Sequence, residues 1–135
     1  RTRPAALMVL DTSALVAILT GEPEQVAFIA AIEGADTCLL SAASYVEASI
    51  VLEVRHGPGG VQALDRLLEQ AGCEIVAVDA EQTRIARSAF QRFGKGRHPA
   101  GLNFGDCFAY ALAVARGEPL LFKGNDFPQT DAPTP

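Results

Sequence analysis

The feature that most constrains this chain lies near its start. Leu7-Met8-Val9-Leu10 is followed at once by Asp11-Thr12-Ser13 and then by Ala14-Leu15-Val16-Ala17-Ile18-Leu19. A short apolar run closed by polar residues reads as a buried strand, and the longer apolar stretch behind a capping residue reads as a helix. A strand that passes directly into a helix opens a βα unit, which needs a sheet with helices packed on it. It also sets Asp11 at the carboxyl end of a strand, where open α/β sheets bind their ligands.

The rest of the chain repeats this grammar. Strands are expected at Leu7 to Leu10, Cys38 to Leu40, Glu74 to Val78 and Leu120 to Phe122. Helices are expected from about Ser13 to Leu19, from Pro23 to about Glu33, from Ser41 to about Arg55, from Gly60 to about Ala71, from Asp79 to Gly94 and from Asn103 to about Arg116. Pro23 suits a first helical turn, while Ser41, Asp79 and Asn103 are N-caps, with Gln82 in the capping-box position after Asp79. Gly34, Gly57 and Gly117 stop their helices. Val26, Ile29 and Ile32 recur at helical spacing and read as a core face; Val46, Ile50 and Val54 recur in the same way on the next helix. The tail after Pro128 is expected to add a short edge strand near Thr130 or to fray. No repeat or linker interrupts the pattern, so the chain is one α/β domain with a parallel sheet.

Bulk properties narrow the function. With 135 residues, 49% hydrophobic and 20% charged, the chain holds one globular core. No apolar run approaches the ~20 residues of a membrane span, and residues 1–6 lack the apolar core of a signal peptide. Residues 1–7 are expected to be an appended or disordered segment ahead of the natural start, with the domain occupying 8–135. Cys38, Cys73 and Cys107 lie in apolar settings without metal-ligand spacing and read as small buried hydrophobes of a reducing compartment, the cytoplasm. A net charge of −5 argues against generic nucleic-acid coating, which depends on Lys and Arg at phosphates. No G-x-G-x-x-G follows the first strand, which excludes a dinucleotide site of that kind.

Four carboxylates stand out. Asp11 ends the first strand. Glu47 lies in the otherwise uncharged Ser44-Tyr45-Val46-Glu47-Ala48-Ser49-Ile50, and Asp106 in the equally uncharged Phe104-Gly105-Asp106-Cys107-Phe108-Ala109-Tyr110. Asp126 follows the last strand. Singly, each has an ordinary explanation: Asp11 as a cap, Glu47 as a partner of Arg55, Asp106 as a first-turn acid favoured by the helix dipole, Asp126 as a turn residue. Together, four converging acids repel and call for a cation or raised pKa values. Carboxylate oxygens suit Mg²⁺ or Mn²⁺, and the absence of a His-rich set argues against zinc.

The run Val9-Leu10-Asp11-Thr12-Ser13-Ala14-Leu15, then Glu47, then Gly105-Asp106-Cys107, then Leu120-Leu121-Phe122-Lys123-Gly124-Asn125-Asp126-Phe127 resembles a PIN domain. More narrowly it resembles the VapC ribonuclease toxins of VapBC toxin–antitoxin pairs, over nearly the whole chain from Met8. The resemblance implies a three-layer α/β/α domain around a short, mostly parallel sheet. It implies a Mg²⁺-dependent endoribonuclease that arrests growth by cleaving tRNA or rRNA, with Mn²⁺ as a substitute ion. Asp11 and Asp106 match the direct metal ligands, and Glu47 matches a glutamate that binds metal directly or through water. Thr12 and Ser13 match supporting hydroxyl positions. Many relatives carry Thr-x-Asp-x-Asp-Phe after the last core strand; here Phe122, Lys123 and Gly124 fill the first three places. Only Asp126 remains of that acid pair, in an outer role shared with Asn125. The family pattern further implies a VapB-type antitoxin, an RNA substrate and a homodimer, with the Val26 face or the helix from Gly60 to Ala71 as antitoxin surfaces.

Lys95 and Arg97, in the basic loop Gly94 to Gly101, and Lys123 are expected to grip RNA phosphates. Two other readings remain at this point: a catalytically weak PIN-like module that binds RNA or protein, favoured by the altered residues 122–124, and a Mg²⁺-dependent phosphatase or receiver, disfavoured because no acidic pair precedes Asp11.

Overall fold

The computed structural model describes residues 4–135; positions 1–3 of the expected leading segment lie outside the described residues. The elements follow in the order β1 (Leu7–Leu10), α1 (Thr12–Leu19), α2 (Gln25–Gly34), β2 (Thr37–Ser41), α3 (Ala42–His56), α4 (Pro58–Gln70), β3 (Glu74–Val76), α5 (Ala80–Phe93), α6 (Phe104–Arg116) and β4 (Leu120–Leu121). Leu7, expected ahead of the domain, is the first residue of β1 and pairs with Thr37.

The strands run in the order β3-β2-β1-β4, every pair parallel, so the sheet is wholly rather than mostly parallel. Side chains alternate across a strand, and this sorts each adjacent apolar pair to opposite faces. Val9, Leu39 and Leu120 join Ala89, Tyr110 and Leu112 of α5 and α6 on one face. Leu10, Leu40 and Leu121 join Leu15, Ile18, Leu52, Leu64 and Leu68 of α1, α3 and α4 on the other. Both faces of the sheet are covered, which explains why its strands are continuous apolar runs.

Several expectations are corrected. β3 stops at Val76 rather than Val78, because its last rung is Val76 against Ser41 and the neighbouring chain turns into α3 at Ala42. The carbonyl of Ala77 instead accepts from the Gln82 side chain (3.3 Å), so Gln82 does not close a capping box on Asp79. The tail forms neither an edge strand nor a frayed end: Phe127–Gln129 makes a 3₁₀ turn, Ala132 is buried, and Pro133 accepts the Leu120 N–H at 2.9 Å. Of the Val26 face only Ile32 is buried, and Val26 is 77% exposed. On α3 the stripe Val46, Ile50 and Val54 is exposed, and Ser44, Ala48 and Leu52 face inward.

The sheet order places the site. From β1 the chain first moves out to β2 and β3 and later returns to β4 on the other side. The gap beyond the carboxyl ends of β1 and β4 is therefore the point where the winding reverses, the usual ligand crevice of such sheets. The Asp11 N–H bonds to the Leu121 carbonyl (3.0 Å) and fixes the two strand ends at its rim.

Candidate metal centre and its walls

Asp11 follows the last residue of β1 and caps α1. Its Oδ2 accepts the Ser13 backbone N–H at 3.0 Å and the Ser13 hydroxyl at 2.6 Å. The side chain is buried, and its Oδ1 has no hydrogen-bond partner. A buried acceptor left open costs on the order of 1–3 kcal/mol, so this oxygen marks a place built for something else. Thr12 donates its hydroxyl to the Ser44 carbonyl (3.3 Å) and ties α1 to the start of α3. Ser13 in turn accepts the backbone N–H of Lys123 at 2.9 Å, locking the exit of β4 against the same carboxylate.

Glu47 reaches the crevice from α3 and Asp106 from α6. Asp106 belongs to a capping box: its N–H bonds to Asn103 Oδ1 (2.9 Å) while its Oδ2 accepts the Asn103 N–H (3.0 Å). The first turn of α6 thus both fixes this carboxylate and lends it the positive end of the helix dipole. Next to it, Gly105 passes so close to the Glu47 carboxylate that a Cβ would overlap it.

Asp11, Thr12, Ser13, Glu47 and Asp106 line one cavity of about 300 Å³. Burial pushes the Asp11 carboxyl up to about 7; the Ser13 hydrogen bonds oppose this, and the charges of Asp106 and Glu47 add to it. Asp106 is also raised, first by burial, with the Asn103 bond opposing and the charges of Glu47 and Asp126 adding. The acids therefore feel one another. Among the described residues, no three His, Cys, Asp or Glu side chains already sit together as a ligand cluster. They stand on separate walls of the cavity. An all-oxygen donor set, an open buried Asp11 oxygen and mutual repulsion fit a hard divalent cation.

The other expected site residues lie at or outside the rim. Asp126 and Asn125 are exposed; Asp126 reaches the centre through its charge on Asp106. Lys123 lines the cavity, with its ammonium on Glu22 and 3.5 Å from Glu24. Lys95 and Arg97 are not among the lining residues. Their loop is internally tied, Lys95 N–H to Leu102 at 2.8 Å, with the Arg97 guanidinium 5.5 Å from the Phe90 ring centre. His98 accepts the Ala100 N–H through Nδ1 and packs edge-on to Phe93, a turn-stabilising arrangement.

Arg55, Glu22 and Asn103 also line the cavity. In sequence Arg55 stands out only as a possible partner for Glu47, and Glu22 not at all. Their polar character is ordinary in a helix end or a turn; the one local signal was that both flank breaks in the chain, at Gly21 and Gly57. A larger groove of about 390 Å³ between α5 and α6 is lined by Ala86, Phe90, Phe104, Cys107 and Phe108 and holds no acid.

The PIN domain family model matches residues 8–133. A VapC ribonuclease of Mycobacterium bovis, Mb0640, is 53% identical over 127 residues, covering 94% of this chain and 97% of the relative. Ribonuclease VapC of Mycolicibacterium smegmatis is 54% identical over 124 residues, covering 92% and 96%. This chain belongs to the VapC family of PIN-domain ribonucleases. PIN-domain VapC ribonucleases generally depend on a divalent metal, in keeping with the donor set described above. Solved structures share the fold: Mycobacterium tuberculosis VapC20, described as a sarcin-ricin loop cleaving toxin, aligns with a TM-score of 0.76 at 16% identity over 93% of this chain and 95% of that one. VapBC2 of Rickettsia felis, solved on a promoter DNA fragment, aligns with a TM-score of 0.72 at 16% identity over 95% and 96%. No helix among the described residues is long and apolar enough to cross a membrane.

Proposed function

We propose that this VapC-family chain is the toxin of a toxin–antitoxin pair: a Mg²⁺-dependent endoribonuclease held by a VapB-type antitoxin, cutting tRNA or rRNA in the cytoplasm. The observation that carries the reading is the buried Asp11 carboxylate with its open Oδ1, facing a cavity shared with Glu47 and Asp106. Asp11, Asp106 and Glu47 would hold the ion. Mg²⁺ or Mn²⁺ bound there supplies Lewis acidity and positive charge to a phosphodiester undergoing hydrolysis.

The chain's own groups do the rest. Ser13 holds Asp11 in one rotamer and favours its ionised form. The capping box holds Asp106. Thr12 keeps α1 and α3 in register, and so keeps Asp11 and Glu47 on facing walls. Asp126 and Asn125, exposed on the turn after β4, take the outer position and orient water. A homodimer completes the proposal, supported by the exposed apolar stripe Val46, Ile50 and Val54 with Phe104 beside it, a patch of the kind that partner chains cover.

The test is Mg²⁺-dependent cleavage of total RNA by the wild type, Asp11→Asn and Asp106→Asn. Both variants should lose at least about a hundredfold, in line with removing a direct metal ligand. Undiminished cleavage by both overturns the reading. A second reading, a PIN-like module that binds without cutting, is favoured by Phe122 and Gly124 standing where many relatives carry Thr and Asp. Failure of the wild type to bind Mg²⁺ in a calorimetric titration would select it.

A further inference from the structure

One wall of the cavity carries two cations, Lys123 and Arg55, and Lys123 is already occupied. Lys123 leaves β4 with its backbone pinned to Ser13, so only its side chain is free to swing. That side chain ion-pairs with Glu22 and stands 3.5 Å from Glu24 Oε1. Glu24 Oε1 has no hydrogen-bond partner of its own. Glu22 is fixed from behind: the Thr20 hydroxyl donates to its Oε1 (3.3 Å), and its N–H and carbonyl are bound to Ala17 and Gln25 (both 2.9 Å). Arg55, at the last turn of α3, lines the same cavity and acts on Glu22 electrostatically. Two carboxylates thus face one ammonium beside a site read as taking a phosphodiester.

We propose that Arg55 and Lys123 are the substrate-phosphate grip of this site, and that Glu22 occupies Lys123 in the free protein as an internal stand-in for the phosphate. The proposal rests on the ribonuclease reading for the identity of the phosphate. An RNA phosphate entering the cavity must displace the Glu22 carboxylate from Lys123, and the Glu22–Lys123 pair is therefore an autoinhibitory contact. Its energetic signature is inverted relative to an ordinary surface ion pair: neutralising the acid helps binding. The side chains of both residues are about one-third exposed, so exchange costs little in desolvation. Lys95 and Arg97, on their self-tied loop, are not needed for this contact.

The test measures binding of a fluorescein-labelled single-stranded RNA oligonucleotide by anisotropy, as a function of salt, with Mg²⁺ present and Asp106→Asn as the common non-cleaving background. Glu22→Gln keeps the shape and the Thr20 bond. It should tighten binding by about fivefold, the order expected for releasing one cation from an exposed pair. It should also steepen the logarithmic salt slope by up to about 0.7, one phosphate contact on a single strand. Lys123→Ala and Arg55→Ala should each weaken binding by about as much and flatten the slope. Glu22→Gln should give no gain once Lys123 is Ala. Unchanged or weaker binding by Glu22→Gln, with thermal midpoints like the parent's, overturns the proposal and leaves the pair a loop tie. Cleavage by the wild type is scored separately with the same oligonucleotide. No cleavage with the binding pattern intact rejects the ribonuclease reading and keeps the grip; cleavage without the Glu22→Gln effect rejects the grip alone.

Discussion

The Glu47 carboxylate rests on the bare Cα of Gly105, one residue before Asp106. Two acids from helices more than fifty positions apart in sequence are brought to one cavity because α6 presents no side chain at the point of contact. Gly105→Ala must therefore push either Glu47 or the first turn of α6 away. Cleavage and Mg²⁺ affinity should fall by about 10- to 100-fold, the range seen when ligand-orienting neighbours are lost. Circular dichroism should remain that of the wild type. Mg²⁺ affinity equal to the wild type's would show that Glu47 plays no part in holding the ion.

Asp11 makes the metal-free protein pay in stability for its site. Its folded pKa of about 7 lies above the ordinary 3.8, so the folded state keeps this proton at pH values where the unfolded chain has released it. A raised acid contributes no penalty below about pH 4, a growing penalty from there to about pH 7, and a constant one above. Asp11→Asn removes it. In EDTA the variant should gain on the order of 1–4 kcal/mol over wild type near pH 8 and much less near pH 4. Urea denaturation at both pH values checks this, and a gain independent of pH would contradict it.

Divalent metal should reverse that penalty. An ion that binds only the folded state stabilises it by about 2.7 kcal/mol at a hundred times its dissociation constant. Thermal melts with and without EDTA should show the shift in wild type and lose most of it in Asp106→Asn. Because Asp11 must be ionised to act as a ligand, Mg²⁺ affinity should climb as pH rises through about 7. A pH-independent affinity between about 5 and 8 would rule out Asp11 as a ligand.

Ser13 serves two masters, donating to Asp11 and accepting from Lys123. Ser13→Ala deletes both bonds and should cost about 1–3 kcal/mol, since the Lys123 N–H loses its partner. It also removes the strongest influence holding Asp11 down, so the Asp11 pKa rises further and the pH at which cleavage is half-maximal moves up. An unshifted pH profile with reduced stability would mean that Ser13 is only a structural tie.

The proposed homodimer needs an exposed apolar surface, and the one on α3 is the stripe that the sequence pattern reads as a core face. If the exposed stripe on α3 is its interface, Ile50→Glu should shift the protein toward monomer in sedimentation without lowering its melting temperature, because Ile50 is 58% exposed in the single chain. A dimer that survives places the contact elsewhere.

The sequence by itself determined the elements and the acids. Apolar period, caps and breaking glycines locate four strands and six helices, because those signals act over a few residues. Asp11 is legible from its place after a strand, and Glu47 and Asp106 because a carboxylate in an uncharged stretch needs a reason. Tertiary structure alone decided what each element meets. Periodicity picks out Val46, Ile50 and Val54 on α3, whereas sheet and neighbours bury Ser44, Ala48 and Leu52 and leave that stripe outside. Likewise Glu22 and Arg55 are unremarkable charges in sequence, and Lys123 is legible there only as a cation near Asp126. They become one wall of the site only because the winding reverses between β1 and β4, which sets the turn after β4 against the loop after α1. Local energetics fix a residue's conformation, whereas its company is set by packing between segments about a hundred residues apart, and no short-range signal carries that.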